Sequence, residues 1–235
     1  MKSLSVVIPT FNEADNIVKL IKMINSESML RCSIIVVDDN SPDNTALLVK
    51  NIQKKYSNVF LINRVRKAGR GSAVIAGMRF AKKFKTDFIL EMDADFSHNP
   101  KDIKRLVQKA IKTNSDFVVG SRYSDGSKIF NWSIKRKVFS RLANLYARIL
   151  LGVPLSDYTN GFRLYSSNAV EYLLKKELKS KGYIVLSETA YLLHKMGFKF
   201  NEIPIVFVNR KRGTSNLDLS EIINSFIGIW KIRFS

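Results

Sequence analysis

Short apolar runs and amphipathic segments alternate through the first half of the chain. The first run, residues 4–9, ends at Pro9, and apolar residues then recur three or four positions apart from Ile17 to Ile24. This alternation of strand-like and helix-like periodicity repeats three more times and ends on a fifth apolar run. The predicted strands are 4–9, 33–37, 59–63, 87–92 and 116–120. Two of the predicted helices begin at about residues 12 and 44, and two more span about 72–84 and 102–113.

The alternation predicts an α/β fold. Connections long enough to cross over give a mostly parallel sheet with helices on both faces. In open sheets of this kind, ligands bind at the carboxyl ends of the strands. We therefore expect the functional residues in the loops that follow the strands.

Carboxylates follow two of the predicted strands. The fourth strand leads into Asp93 and Asp95, and the second into Asp38 and Asp39. Alternate residues of an extended chain point the same way, so Asp93 and Asp95 could face one hard cation that also holds substrate phosphate. The alternative is an Asp-rich turn that caps the following helix.

The charge balance favours an anionic partner. The 235 residues include 39 Lys and Arg against 20 Asp and Glu, a formal net charge of +19. Such a charge is typical of proteins that bind nucleic acid, an acidic lipid surface or phosphorylated substrates, and a solvated surface charge is the alternative. The one cysteine, Cys32, excludes an internal disulfide, and with only His98 and His194 beside it a Cys/His metal cluster is excluded too.

Several familiar kinds of site are absent from the sequence. The segment Gly69-Arg70-Gly71 lacks the third glycine of a dinucleotide-binding loop, and there is no Walker A loop. No Ser or Cys nucleophile is arranged with a His base for acyl transfer. Phosphate charge would therefore be met by a metal ion and by side chains.

The second half of the chain is basic, and the regular alternation stops after Arg122. Residues 127–148 contain six Lys or Arg and no acidic residue, with apolar residues between them. This pattern predicts amphipathic helical structure over about 129–151, with Trp and Phe on its apolar face, in a membrane interface. A helix packed on the sheet with a solvated basic face is the alternative. The C-terminal segment 217–235 is predicted to be a second amphipathic helix.

The remaining predictions concern the rest of the second half and the location of the protein. They are a polar loop at 157–163, helices at 168–176 and 187–196, and an extended edge strand at 198–208 interrupted by Pro204. No run of 18 apolar residues could span a membrane, and no signal peptide precedes the first strand. We expect an intracellular protein with one domain at 1–216 followed by the C-terminal helix.

Seven motifs carry a family resemblance. Four resemble family 2 glycosyltransferases of the GT-A fold, a Rossmann-like architecture: VVIPTFNE at 6–13, VVDDNSPDNT at 36–45, MDADFSHNP at 92–100 and GSRY at 120–123. The other three are NWSIKRKVFSRLAN at 131–144, LSDYTNGFRLY at 155–165 and VNRKRGTSNL at 208–217. Together they resemble the dolichyl-phosphate mannosyltransferase group of polyprenyl-phosphate sugar synthases.

The resemblance implies transfer of mannose, with inversion, from GDP-mannose to dolichyl or another polyprenyl phosphate. It implies Mg²⁺ or Mn²⁺ as cofactor, peripheral association with the cytoplasmic face of a membrane, and a small membrane subunit as a candidate partner. The alternative enzyme is a polyprenyl-phosphate glucosyltransferase that uses UDP-glucose. A basic, non-catalytic binding protein is the alternative from another class, but no nucleic-acid reader motif supports nucleic acid as its partner.

The resemblance also assigns roles to matching positions. The nucleoside part of the donor would be held by Pro9, Phe11 and Glu13, together with Asp38 or Asp39. The metal and the diphosphate would be held by Asp93 and Asp95, with Ser97 able to complete the coordination. The lipid phosphate would be received by Arg122, Arg136 and Ser140, and Arg210 would close over the donor. Catalysis is expected to depend on Asp95, Arg122 and Arg136.

Two positions depart from the family pattern. Arg70 stands in the glycine loop where an apolar residue is usual, and Asn216 stands where Lys is common. Asp157 and Glu188 match family positions, but the resemblance assigns them no clear role.

Overall fold

A seven-stranded sheet forms the centre of the molecule. The structure is a computed structural model that describes residues 2–27, 31–176, 178, 184–209 and 219–234, without the side chains of 219–225. The strands in these ranges are β1 (Ser3–Thr10), β2 (Arg31–Asp38), β3 (Val59–Asn63), β4 (Phe88–Glu91), β5 (Phe117–Ser121), β6 (Lys128–Phe130), β7 (Arg163–Ser166), β8 (Phe200–Pro204) and β9 (Val206–Val208). The helices are α1 (Ala14–Glu27), α2 (Thr45–Gln53), α3 (Arg70–Ala81), α4 (Asp102–Thr113), α5 (Ile134–Leu151), α6 (Ser167–Lys175), α7 (Ile184–Lys195) and α8 (Leu219–Phe234). A short 3₁₀ helix, Lys82–Phe84, continues α3.

The sheet is parallel apart from one strand. Its order is β3-β2-β1-β4-β7-β5-β8, and β7 runs antiparallel to both of its neighbours, β4 and β5. The strands β6 and β9 form a separate two-stranded parallel sheet. The predicted α/β fold with a mostly parallel sheet is therefore confirmed.

Helices cover both faces of the sheet, and each face has its own apolar core. Helices α1, α2 and α4 pack on one face against alternate residues of β1 and β2, such as Val6 and Val36. Helices α3, α5, α6, α7 and α8 pack on the other face, against residues such as Val7 and Val37. Since successive side chains of a strand point to opposite faces, strands buried on both sides are apolar throughout, which explains the continuous apolar runs in the sequence.

The strand β7 corrects the prediction for residues 157–163. The polar loop predicted there gives way to a strand at Arg163, where Leu164 and Tyr165 pack on opposite faces of the sheet. Two apolar residues after a polar stretch are too few to show a strand period, and antiparallel pairing on both sides stabilises the strand instead. This correction matters for the site, because β7 begins at the edge where its parallel neighbours end.

The helix α5 begins later than the predicted segment at 129–151. Residues 128–130 pair with β9, and the Ser133 side chain accepts a hydrogen bond from the Arg136 amide as the N-cap. Phe130 and Trp132 therefore precede the helix and do not lie on its apolar face.

The predicted edge strand is confirmed, because β8 lies at the border of the sheet and ends at Pro204.

Candidate active site

The site is built at one edge of the sheet. The parallel strands β1, β2, β4 and β5 all have their carboxyl ends there, at Thr10, Asp38, Glu91 and Ser121. Arg163, the first residue of the antiparallel β7, is level with Glu91 and Val119, so the loop that precedes β7 reaches the same edge. Five consecutive strands of the sheet thus contribute their loops to this edge, the position of the ligand-binding crevice in open α/β sheets.

The turn after β4 carries the predicted metal ligands Asp93, Asp95 and Ser97. The carboxylate of Asp95 accepts a hydrogen bond from the Ser97 amide at 3.1 Å, and Phe96 between them has a φ of 59°. Asp93 and Asp95 are half-buried, whereas Ser97 is buried. The three residues therefore share one tight turn, as the sequence predicts.

His98 holds this turn against the loop before β7. Its Nδ1 accepts a hydrogen bond from the Asp93 amide at 3.1 Å, so its Nε2 carries the proton and donates to Asn160 Oδ1 at 2.8 Å. The ring is fully buried and stacks on Phe162 with 4.9 Å between ring centroids. Burial lowers the pKa of His98, which favours this neutral form. The roles of His98 and Asn160 were not predicted from the sequence, although a histidine beside two aspartates was a visible signal.

The carboxylate of Asp93 already has a cationic neighbour. Arg70 Nε donates to Asp93 Oδ1 at 2.8 Å, and its Nη2 donates to the Gly161 carbonyl at 3.3 Å. Burial alone would raise the pKa of Asp93, but the positive charge of Arg70, with a smaller effect of Arg122, brings it below its ordinary value. Asp93 is therefore ionised and can bind a cation.

The carboxylates suit a hard divalent cation that also binds substrate. Within the described ranges, no three His, Cys, Asp or Glu side chains are grouped closely enough to hold a metal ion by themselves. Asp93 and Asp95 offer oxygen ligands, which Mg²⁺ and Mn²⁺ prefer, and one or two carboxylates completed by substrate phosphate are a common arrangement for Mg²⁺. The residues present thus fit such a metal.

Asp38 and Asp39 lie at the end of β2 and have partners within the protein. The carboxylate of Asp38 accepts hydrogen bonds from the Thr10 hydroxyl at 2.8 Å and from the amide and hydroxyl of Ser41. Asp39 accepts from the amides of Ala68 and Gly69 and pairs with Arg64 at 2.7 Å. These contacts fix the end of β1 and the loops after β2 and β3, and a role of either carboxylate in nucleoside binding stays a prediction.

The other predicted nucleoside contacts surround the start of α1. Pro9 is level with Val37 in the sheet, and the Phe11 ring is 37% exposed with Lys67 Nζ 3.7 Å from its centroid. The amide of Glu13 donates to the Thr45 hydroxyl at 3.0 Å. An exposed aromatic ring at the carboxyl end of a strand is a suitable surface for a base or a ribose.

Arg122 is buried beside the crevice, where Asp157 orients it. Its Nε and Nη2 each donate to the Asp157 carboxylate at 2.8 Å, and its Nη2 also donates to the Thr159 hydroxyl. Burial opposes both charges, but their mutual attraction raises the pKa of Arg122 and lowers that of Asp157. Among the residues whose contacts are described, Nη1 of Arg122 has no hydrogen-bond acceptor, so it can bind an incoming anion. The structure thus gives Asp157 a role that the sequence left open.

Arg122 and Arg136 converge on Trp132. The guanidinium carbons of the two residues lie 5.3 and 4.2 Å from the centroid of the Trp132 ring, and Arg136 Nη1 donates to Asn209 Oδ1 at 3.3 Å. The planar ring holds both cations near each other in spite of their repulsion. Two predicted ligands of the lipid phosphate are thus brought together.

The other predicted contacts differ in how far the structure describes them. Ser140 lies one helical turn after Arg136 on α5. Burial raises the pKa of Tyr123, and a hydrogen bond with the Ser140 side chain opposes this rise. Glu188 is buried on α7. Arg210 and Asn216 lie outside the described residues.

A row of exposed apolar side chains runs along α5. Five residues spaced three or four apart are 52–81% exposed: Ile134, Val138, Leu142, Leu145 and Ile149. The helix buries Asn144, Ala147 and Leu151 instead. The face that α5 turns to solvent is therefore apolar as well as basic, and its location in a membrane interface stays a prediction.

The helix α8 extends this apolar surface. It packs on α5 through Tyr146 and Phe226, whose ring centroids are 4.6 Å apart, and it exposes Ile227, Trp230 and Phe234. None of the helices in the described part of the chain combines the length and the apolar character needed to cross a membrane.

The arrangement of the sheet and helices is shared with known glycosyltransferases. Solved structures of glucosyl-3-phosphoglycerate synthase from Mycobacterium tuberculosis share the fold, although their sequences are only distantly similar. One, in complex with phosphoglyceric acid, aligns with a TM-score of 0.70 and 18% identity over 99% of this chain and 80% of the other. A second, with Mn²⁺, UDP and glucosyl-3-phosphoglycerate, gives a TM-score of 0.67 and 20% identity over 98% and 78%. The fold is that of GT-A glycosyltransferases.

The family follows from sequence. Residues 5–174 match the model of glycosyl transferase family 2. The polyprenol monophosphomannose synthase of Mycolicibacterium smegmatis is 35% identical over 231 residues, 97% of this chain and 86% of the relative. The undecaprenyl-phosphate mannosyltransferase of Micrococcus luteus is 35% identical over 211 residues, 90% of this chain and 86% of the relative. The chain belongs to glycosyl transferase family 2 and is a glycosyltransferase, as its motifs predict.

Proposed function

We propose that the protein transfers mannose from GDP-mannose to the phosphate of a polyprenol such as dolichol, with inversion, at a membrane surface. Two relatives at 35% identity are named a polyprenol monophosphomannose synthase and an undecaprenyl-phosphate mannosyltransferase. These names support mannose as the sugar and a polyprenyl phosphate as the acceptor. The carboxylate turn after β4 and the guanidinium pair at Trp132 support two phosphate-binding regions in one crevice.

The single observation that carries the proposal is the proximity of these two regions. In the turn of Asp93, His98 is hydrogen-bonded to Asn160, and the Asn160 amide donates to Asp157, the carboxylate that orients Arg122. A donor diphosphate beside Asp93 would therefore lie near an acceptor phosphate bound to Arg122. This arrangement suits direct transfer of a sugar from one phosphate group to another.

On the donor side, Asp93 and Asp95 would hold Mg²⁺ or Mn²⁺, with Ser97 able to complete the coordination. The metal, when bound, supplies positive charge for the departing diphosphate. Phe11, Pro9 and Glu13 would contact the nucleoside. The Mycobacterium tuberculosis structure with Mn²⁺ and UDP supports a divalent metal in this fold.

On the acceptor side, Arg122 and Arg136 would bind and orient the lipid phosphate, together with Ser140. A phosphate monoester is ionised at neutral pH because its second pKa is about 6, so attack on the sugar needs no strong general base. The two described histidines agree with this, since His98 is neutral and engaged in the turn while His194 belongs to the last turn of α7. Catalysis would rest on positioning and on stabilisation of charge.

The apolar surface of α5 and α8 would hold the protein on the membrane. Its exposed apolar rows lie beside Lys135, Arg141 and Arg148 on α5, a combination typical of helices that lie in an anionic interface. Because Arg136 and Ser140 belong to the same helix, docking of α5 would bring the phosphate of an embedded polyprenol to the crevice. A small membrane subunit stays a candidate partner.

The test is transfer of radiolabelled sugar into lipid. Purified protein would receive GDP-mannose or UDP-glucose with dolichyl phosphate in liposomes, in Mn²⁺ or in EDTA. We expect labelled lipid from GDP-mannose with Mn²⁺, and a loss of at least about a hundredfold in rate for Asp93→Ala and Asp95→Ala with the fold intact. Label from UDP-glucose alone would contradict the proposed donor, and full turnover of Asp95→Ala with Mn²⁺ would contradict the metal site.

A further inference from the structure

Arg70 reaches the proposed metal ligand from a loop that the protein holds firmly. It is the first residue of α3, and its side chain is 14% exposed. The preceding amides of Ala68 and Gly69 donate to the Asp39 carboxylate at 3.1 and 2.9 Å, and Gly69 has a φ of 91°, which suits glycine. The base of the Arg70 side chain is thus fixed.

The other end of the side chain is enclosed as well. Its Nε donates to Asp93 Oδ1 at 2.8 Å, its Nη2 donates to the Gly161 carbonyl, and its Nη1 lies 4.0 Å from Glu91 Oε2. A methyl group at Gly161 would overlap the guanidinium. A larger residue at position 161 would therefore displace the guanidinium from its present place.

We propose that Arg70 competes with the divalent cation for Asp93, and that a nucleoside diphosphate relieves this competition by binding the guanidinium through its phosphate oxygens. The inference rests on the metal site proposed above. Two cations that share one carboxylate repel each other, most strongly where solvent is excluded. Arg70 therefore weakens binding of the metal alone.

The diphosphate changes this balance. Guanidinium groups bind phosphate through two parallel hydrogen bonds, and a diphosphate beside Asp93 offers such oxygens within reach of Arg70. Metal and donor then each bind more tightly when the other is present. The release of Asp93 from Arg70 adds to the direct attraction between the metal and the diphosphate. Because coupling between two ligands is reciprocal, the metal should strengthen nucleotide binding by the same factor. Arg70 itself should weaken binding of the metal alone and strengthen binding of the nucleotide.

The experiment measures binding, without turnover. Titration of Mn²⁺ followed by electron paramagnetic resonance gives the metal Kd without nucleotide and with saturating GDP, and calorimetry gives the GDP Kd in EDTA. The variants are Arg70→Met, Arg70→Gln and Asp93→Asn. Arg66→Met is the matched control, because Arg66 lies on the same loop, is exposed, and has no carboxylate partner among the described residues. Arg70→Gln keeps a hydrogen-bond donor in case Arg70→Met does not fold.

We expect the Arg70 variants to bind Mn²⁺ alone at least about fivefold more tightly than the wild type, at the lower end of typical coupling between sites. They should bind GDP in EDTA more weakly than the wild type does. Saturating GDP should also increase the Mn²⁺ affinity of the Arg70 variants less than it increases that of the wild type and of Arg66→Met. Unchanged affinity for Mn²⁺ alone, with binding lost in Asp93→Asn, would overturn the role of Arg70. Equal Mn²⁺ binding by Asp93→Asn and the wild type would overturn the metal site itself.

Discussion

The guanidinium of Arg122 is oriented by two hydrogen bonds to Asp157, each 2.8 Å long, inside a pair that is almost wholly buried. Asp157 also accepts hydrogen bonds from the amides of Arg122, Thr159 and Asn160. One carboxylate therefore fixes both the predicted phosphate ligand and the loop before β7.

Asp157→Asn should lower stability in a pH-dependent way. Removing one partner of a buried ion pair costs about 3–5 kcal/mol, so we expect a loss near 3 kcal/mol at pH 7 by urea unfolding. The folded-state pKa of Asp157 lies below its ordinary value, so its contribution is present above the unfolded-state pKa and is lost as the pH falls through the folded one. The difference between the two proteins should shrink below about pH 5.

The exposed Asp125, three residues after Arg122, provides the control for this prediction. Asp125→Asn removes the same charge and should leave the unfolding free energy within about 0.5 kcal/mol of the wild type. A constant gap between Asp157→Asn and the wild type from pH 7 to pH 3 would contradict the assignment of the charge to Asp157.

Arg136 makes a second prediction at the scale of the residue. If it binds the lipid phosphate, Arg136→Ala should raise the KM for polyprenyl phosphate about tenfold or more and leave the KM for the nucleotide sugar nearly unchanged, since a charged hydrogen bond is worth about 1.5–3 kcal/mol. Initial rates with each substrate varied in turn measure both constants. Lys112→Ala removes the same charge from an exposed position on α4, away from the proposed membrane surface, and serves as the control. Equal rises in both constants would contradict the acceptor role.

The helix α5 carries the prediction for membrane binding. Leu142 is 56% exposed in the apolar row of α5, and Ile111 is 51% exposed on α4, which covers the opposite face of the sheet. Leu142→Glu should weaken binding to anionic liposomes about tenfold or more, because one leucine moved into an apolar phase contributes about 1.5–3 kcal/mol. Ile111→Glu should bind like the wild type in the same co-sedimentation assay. Equal losses for the two variants would show that α5 is not the docking surface.

The packing of α3 on β1 depends on Gly77. A Cβ at this position would lie 2.3 Å from Val7 Cγ1 and 3.1 Å from Val37 Cγ2, and valine side chains have little freedom to move. Gly77→Ala gains about 1 kcal/mol of helix propensity, but overpacking of the core costs about 1–3 kcal/mol, so we expect a net loss of up to about 2 kcal/mol in unfolding free energy.

A double-mutant cycle tests the physical reason for this loss. Val7→Ala makes room for the new methyl group, so it should cost less in the Gly77→Ala protein than in the wild type. Additive costs would contradict close packing of Gly77 on Val7 as the cause.

For the whole molecule, the sequence predicts most of the fold because most strands are parallel and buried on both faces. Such strands appear as continuous apolar runs, and helices such as α4 follow them with clear periodicity. The exception is β7, whose pairing with β4 and β5 comes from partners far away in the sequence. The short β6 escapes prediction for the same reason, since it exists only through its pairing with β9.

The candidate site was only partly visible in the sequence. The carboxylates after β4 could be predicted, because an acidic pair at the end of an apolar run is a local pattern. The contact of Arg70 with Asp93, the pairing of Asp157 with Arg122, and the bond of His98 to Asn160 join residues 23, 35 and 62 positions apart. They depend on which strands are neighbours, which local patterns do not determine.

The most direct test of the account is the structure of the product itself. The protein would be incubated with GDP-mannose, Mn²⁺ and a polyprenyl phosphate, and phosphorus and proton NMR would follow the lipid phosphate and the anomeric centre. Conversion of the phosphate monoester into a phosphodiester of β-linked mannose is the predicted result, because direct transfer between two phosphate groups inverts the α-linked donor. An α-linked product, or release of free mannose with the lipid phosphate unchanged, would contradict it.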